Sequence, residues 1–537
     1  MLMNSFKPKL LAHLIAAGRA TLLLAAIGLA MPVPLRAQSS VASTLPLLGD
    51  GSAMSASAER RLGDRIAREL YRDPDFIDDP VLTDYVQGIW LPLLAAARVR
   101  GDLTRELDER FAWRIVLGRD RSVNAFALPG GYFGVHLGLL AVVSSRDELA
   151  SVLGHELSHV TQRHISRLIA KNNQQTPWMI GAMILGALAA SKSPDAGNAL
   201  IVGGQALSAQ SQLNFSRDME READRIGFGV MTQAGFEAQG FVGMFDKLQQ
   251  AARLNDTGAY PYLRSHPLTT ERIADMQSRL PLGAPHSAPV VPGMTHAMLT
   301  ARARVLANPG PDALRGWQAQ ADNLAPGRTA AQQAGTRYGA AMAASRLRDA
   351  TQARKQFAQL QKVVSDDPEA ARQMRWLGLE IELAARDRSR PQVLALGADV
   401  GLDLANPAEV SATALRRPDL LLQAQIAMQA GRDDVLDKVA QNLQVWLVSQ
   451  PQDALAWQWL ASIYAAQNQS LRALRAEAEA RVAQLDYAGA MDRLKAAQDR
   501  LRATGAANSS ADHIDASIID TRRRQIDSLL KGQALEN

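Results

Sequence analysis

The sequence predicts a mainly α-helical protein with one small β element, on three observations. Apolar residues recur at helical spacing along most of the chain. Ala, Leu, Gln and Arg accumulate in the second half, and aromatics make up only 5%. Strand-like alternation gathers between residues 111 and 135. The 537 residues suffice for about three domains, and 47% hydrophobic with 21% charged residues excludes a mostly disordered chain. The net charge is +5, of which Lys7, Lys9, Arg19 and Arg36 in the acid-free stretch 1–37 supply +4, leaving +1 for the remainder. So little excess positive charge argues against a nucleic-acid partner. The absence of cysteine excludes disulfides, thiolate-held metals and thiol catalysis.

Taken in order, residues 1–37 read as a signal peptide. A basic region precedes a short apolar run, Ala20 to Met31, which Pro32 and Pro34 break before the small Ala37. The run is shorter than the ~20 residues needed to span a bilayer, so cleavage near Ala37 and export are expected, to the periplasm if the source is Gram-negative. Residues 38–57 form a Ser/Ala/Gly-rich tail. A helix covers about 58–70, and Asp79-Pro80 supplies the N-cap and first residue of another reaching about Ala97. Phe111, Trp113, Ile115 and Leu117 alternate as in a strand. Asn124 to Val135 gives strand, turn and strand around Pro129-Gly130-Gly131. Its first strand suits a sheet edge that an extended peptide could join, or a plain structural hairpin.

Ser145-Arg-Asp-Glu148 is a capping box that opens a long helix to about Ala170. Residues 178–190 are apolar but too short to cross a membrane; a buried helix, a lid over a cleft and a membrane-surface contact all fit. Helices are expected over 206–234, 238–254 and 269–280, bounding a catalytic domain at 58–280. Pro281, Pro285, Pro289 and Pro292 mark a linker at 281–300. Residues 301–537 are helical. Trp457, Leu460, Ala461, Tyr464, Ala473 and Ala480 fall at tetratricopeptide spacing, and Tyr338, Gly339, Ala353, Phe357 and Pro368 repeat the pattern less well, so a tetratricopeptide-like α-solenoid is expected.

The chemistry concentrates in His155-Glu156-Leu157-Ser158-His159. On a helix, residues i and i+4 share a face, so both imidazoles can reach one zinc ion, while Glu156 can hold a water molecule and take its proton. A hydrolytic zinc site needs a third protein ligand. His164 lies about 140° round a continuous helix from His159 and is expected at the surface. Glu220 is the better candidate, with Asp224 one turn on to accept the N–H of a metal-bound histidine. A solvated acidic face would give the same spacing. His266, fixed before Pro267 with Thr269 or Thr270 capping the next helix, could bind a developing oxyanion, could occupy the open metal position, or could be a loop histidine. His13, His136, His286, His296 and His513 are assigned no role.

These residues resemble a known family. H-E-x-x-H followed by Ser216-Arg-x-x-Glu220-x-x-Ala-Asp224, with NAFALPGGYFGVHLGLL upstream, is similar to the gluzincin-type zinc peptidases that include HtpX and the CAAX prenyl proteases. The resemblance covers about 58–280 by motif. Over 301–498 it is one of architecture only, to exported members with C-terminal tetratricopeptide repeats. It implies one zinc per chain on His155, His159 and Glu220, Glu156 as general base, and Asp224 as an orienting group or proton donor. It implies misassembled outer-membrane β-barrel proteins as substrates and the barrel-assembly machinery as a partner met through the repeats. A scaffold or chaperone with latent proteolysis and a membrane-integrated protease are the alternatives.

Overall fold

The computed structural model describes residues 54–171, 216–253, 259–281, 292–364, 367–402, 415–503 and 510–534. The expected leader, most of the tail and the apolar segment 178–190 lie outside them. The described part is predominantly helical with a single four-stranded sheet. Among the described residues no helix is long and apolar enough to cross a membrane.

In the first half, α1 (Ala56–Arg72), capped by Ser55, leads to β1 (Phe76–Ile77) and α2 (Pro80–Arg100), whose first turn Asp79 caps through Leu82 N. A short α3 (Arg105–Arg110) follows, then β2 (Arg114–Gly118), β3 (Ala125–Leu128) and β4 (Tyr132–His136). The sheet order is β1-β2-β4-β3, with β2 and β4 parallel and the other pairs antiparallel, so β3 is an edge strand as expected. β2 begins later than the alternation from Phe111 predicts. Trp113 takes a left-handed φ of 50°, which breaks the extended run, and Phe111 instead ends α3.

Next come α4 (Leu137–Val142) and α5 (Arg146–Thr161), the axis of the domain, which packs against α2, β3, α7 (Arg217–Gln233) and α8 (Gln239–Arg253). Every residue of α5 from Glu148 to Thr161 is buried. Its cap is not the expected box. Ser145 accepts from Glu148 N, but the Glu148 carboxylate turns to Ser144 N and Lys247 instead of the Ser145 N–H. The expected continuous helix to Ala170 is also absent. α5 stops at Thr161, Arg163 has φ 52°, and a separate α6 (His164–Lys171) starts anew. The Arg163 side chain holds this reversal by bonding Glu59 of α1 and the Met54 carbonyl. α7 begins at Arg217 after the extended N-cap Ser216, and residues 206–215 of the predicted helix lie outside the described residues.

α5 and α7 cross closely because glycines meet there. A Cβ on Gly227 would stand 2.9 Å from Gly154 C and His155 N. Removing both side chains lets the two site-bearing helices touch backbone to backbone. Beyond α8 lie α9 (Tyr262–Ser265) and α10 (Thr270–Ser278), the latter capped by Thr269 as expected.

The second half runs α11 (Met294–Ala307), α12 (Pro311–Asp322), α13 (Ala330–Arg346), α14 (Ala350–Val363), α15 (Pro368–Ala385), α16 (Arg390–Ala395), α17 (Arg417–Ala430), α18 (Asp433–Ser449), α19 (Ala454–Ala466), α20 (Ser470–Ala483), α21 (Tyr487–Ala503) and α22 (Ser510–Ala534). α11 starts inside the span expected as a linker, because its apolar face packs on α4. Successive helices pack neighbour on neighbour, with Leu460, Ala461, Tyr464, Ala473 and Ala480 buried between them. Buried and half-buried ion pairs join the two halves. Arg302 of α11 bonds both Asp79 and Glu380, and Arg417 of α17 bonds both Asp78 and Asp453.

Candidate metal centre

Three elements bring four side chains together at the α5–α7 crossing. The i, i+4 spacing on α5 turns His155 and His159 toward α7, and their Nε2 atoms lie 2.9 Å apart. α7 brings Glu220, whose Oε1 is 3.5 Å from His159 Nε2 and whose Oε2 is 3.5 Å from His155 Nε2. The end of α9 brings His266, its backbone N–H bonded to Tyr262 O and its ring stacked on Tyr262 at 4.6 Å between centroids. His266 Nδ1 stands 3.0 Å from Glu220 Oε1 and 3.3 Å from His155 Nε2. One donor atom from each of His155, His159, Glu220 and His266 falls within 4.8 Å of all the others, and all four residues are buried.

Does this cluster suit a cation? Both oxygens of the buried Glu156 carboxylate make no aligned hydrogen bond, whereas Oε2 of Glu220 is met by Arg272 Nη1 at 2.8 Å. Leaving such groups unsatisfied is costly unless a ligand meets them. Two neutral imidazoles with Nε2 lone pairs facing across 2.9 Å repel unless a proton or a cation lies between them. The donor set, imidazole and carboxylate without thiolate, matches the ligands of a divalent metal such as zinc.

The charges around the cluster point the same way. Burial opposes charge on His155, yet the carboxylates of Asp224 and Glu220 outweigh it and raise its pKa to about 9. His159 is pushed well below its ordinary value by burial and by its neighbour His155. Burial would raise Glu220, but His266, His155 and His159 hold it well below the usual carboxylate range. Glu156 goes the other way: burial pushes its carboxyl up, only partly opposed by His266 and His155. Asp224 sits with Oδ1 2.9 Å from His155 Nδ1, close enough for a hydrogen bond though not well aligned for one.

Of the residues predicted from sequence, His155, His159, Glu220, Asp224 and His266 are brought together, and Glu156 lies beside them with Oε1 3.5 Å from His266 Nε2. One expectation is overturned. His164 is fully buried, with Nδ1 2.9 Å from His159 Nδ1 and Nε2 3.1 Å from Glu222 Oε2. The 140° separation assumed an unbroken helix, and the turn at Arg163 cancels it. Two further residues escaped the sequence reading. Arg272 binds both Asp224 oxygens and places Nη1 2.8 Å from Glu220 Oε2. Tyr262 stacks on His266. A hint existed for Arg272: a cation in the first turn of a helix opposes the helix dipole and calls for a local anion.

Residues 98–280 match Peptidase family M48. Over that stretch the chain is similar to this peptidase family. Over 237 residues it is 36% identical to a putative beta-barrel assembly-enhancing protease of Vibrio cholerae, covering 44% of this chain and 47% of that one. Over 290 residues it is 32% identical to the beta-barrel assembly-enhancing protease of Escherichia coli K12, covering 53% and 55%. It is 28% identical over 202 residues to the mitochondrial metalloendopeptidase OMA1 of Saccharomyces cerevisiae, covering 36% and 55%. The chain thus spans about half the length of the curated relatives it matches. The matched stretch, 98–280, holds all six residues of the predicted site and the newly found Arg272 and Tyr262.

Proposed function

We propose that the protein is an exported zinc metalloendopeptidase. The observation that carries this reading is the buried group of His155, His159, Glu220 and His266 with the unsatisfied Glu156 carboxylate beside it. His155, His159 and Glu220 would hold one zinc ion, which when bound supplies Lewis acidity to polarise a peptide carbonyl. Glu156 takes the proton of the attacking water and hands it to the leaving amine, a task suited to a carboxyl whose pKa burial has raised. Asp224, itself gripped by Arg272, orients His155 through Nδ1. His266 stands where a fourth donor would, so it acts as a latch that keeps the resting site closed. β3, an edge strand among the described residues and packed beside α5, is the natural place for an extended substrate to add as a strand.

Residues 58–280 then form the protease domain, 1–37 a signal peptide and 301–537 a tetratricopeptide-like solenoid that recruits a protein partner. The names of the bacterial relatives point to β-barrel assembly, so misassembled outer-membrane proteins are the proposed substrates, the barrel-assembly machinery the partner and the periplasm the location. The test is elemental analysis of the full mature chain together with cleavage of casein or a denatured barrel protein. His155→Ala and Glu220→Ala should each lose zinc and cleavage together; zinc retained at parental level in Glu220→Ala would remove the proposed third ligand.

A further inference from the structure

His155 and His159 are each backed at Nδ1, but by different devices. Behind His155 stands Asp224, locked by two bonds from Arg272, and all of it is buried. Behind His159 stands another imidazole. His159 Nδ1 meets His164 Nδ1 at 2.9 Å, His164 Nε2 meets Glu222 Oε2 at 3.1 Å, and Arg167 Nη1 closes on the same Glu222 oxygen at 2.9 Å. The side chains open outward along this row: His164 is fully buried, while Glu222 and Arg167 are 34% and 36% exposed.

The proton positions follow from chemistry alone. A carboxylate paired with an arginine accepts, so His164 carries its proton on Nε2 and donates to Glu222. His164 Nδ1 is then a lone pair, which can only accept from His159 Nδ1–H. That leaves His159 Nε2 as a lone pair facing the proposed metal position. We infer that His164 is a positioning residue that fixes the tautomer and ring orientation of His159, with Glu222 and Arg167 as its anchor. The backbone reversal at Arg163, pinned by Glu59 and Met54, is what swings His164 back under His159.

This rests on the zinc reading above, and the experiment separates the two. Zinc affinity is measured on the full mature chain by chelator competition, with zinc ion as the only probe, alongside thermal unfolding of the metal-free form. His164→Phe should weaken zinc binding by about 10–100-fold. His164→Gln, whose amide oxygen can accept from His159, should recover most of that loss, which a purely packing role would not predict. In the zinc-loaded parent with labelled histidines, nitrogen NMR should find the His164 proton on Nε2 and the His159 proton on Nδ1. A parent that binds no zinc overturns the metal reading and this inference together. A parent that binds zinc while His164→Phe stays within twofold of it, or that carries the His164 proton on Nδ1, overturns this inference alone. Should His164→Phe fail to fold, the NMR assignment on the unaltered chain decides.

Discussion

Arg272 holds Asp224 with two parallel bonds, Nε to Oδ2 at 2.6 Å and Nη2 to Oδ1 at 2.8 Å. Both side chains are almost fully buried, and the guanidinium also donates to the Pro267 carbonyl. Arg272→Ala strands two buried carboxylates, Asp224 and Glu220. It should destabilise the chain by roughly 3–5 kcal/mol. Arg272→Lys keeps the charge but not the fork, so it should cost less stability yet still weaken zinc binding. Urea denaturation and chelator competition measure the two effects separately.

Glu156→Gln keeps the size of the side chain and none of its basicity. Because Glu156 lies beside the donor group and is not one of its members, zinc content should match the parent. Cleavage of casein should fall by about 10²–10⁴-fold. Cleavage that survives in Glu156→Gln at parental rate would move the general base elsewhere.

His266→Ala removes the proposed latch. Nδ1 of His266 is 3.0 Å from Glu220 Oε1, inside the proposed donor group. The variant should retain zinc on the other three ligands and cleave faster than the parent. A slower variant with full zinc content would make His266 a catalytic group that binds the oxyanion.

How much of this was legible in the sequence depends on the range of each signal. The pair spacings on α5 and α7 are local, and the residues they pick out, His155, His159, Glu220 and Asp224, meet in the fold with Glu156 beside them. The strand–turn–strand at 124–135 was equally local and equally clear. His164 was misplaced because one left-handed residue, Arg163, turned the helix, and arginine gives no local warning of that conformation. Arg272 was missed because its partners are 48 and 52 residues away in sequence, and only the folded chain joins them. The glycine pair at the helix crossing was invisible for the same reason: Gly154 and Gly227 matter only once α5 and α7 are side by side.

Arg302 joins the two halves of the molecule. It is buried and makes paired bonds to Asp79 at 2.7–2.8 Å and to Glu380 at 2.7–2.8 Å, with Tyr338 hydroxyl also in reach. Arg302→Ala should destabilise by roughly 3–5 kcal/mol, since the buried Asp79 loses its counter-ion while still capping α2. Arg354→Ala is the control. It too bonds two acids, Glu382 and Asp387, but a third of its side chain is exposed. Its loss should cost at most about 1 kcal/mol. Equal unfolding midpoints for the two variants would remove Arg302 as a structural tie.

His296 gives that same junction a pH response. Tyr85 hydroxyl donates to its Nδ1 at 2.6 Å, and Nε2 donates to the Val143 carbonyl at 2.9 Å, so the neutral ring satisfies both neighbours. Burial holds its pKa below the ordinary 6.5, and the bond to Val143 only partly opposes this. The folded state therefore disfavours the protonated ring. Above about pH 6.5 the group is neutral folded or unfolded and has no effect on stability. Below it the unfolded chain gains a proton that the folded one refuses. Stability should drop by about 1.4 kcal/mol per pH unit, until the folded pKa is reached. Replacing the ring by an amide in His296→Gln removes this term, so the variant should lose less stability than the parent between pH 7 and pH 5. Urea midpoints at the two pH values give the comparison, and identical slopes would show that His296 does not resist protonation in the fold.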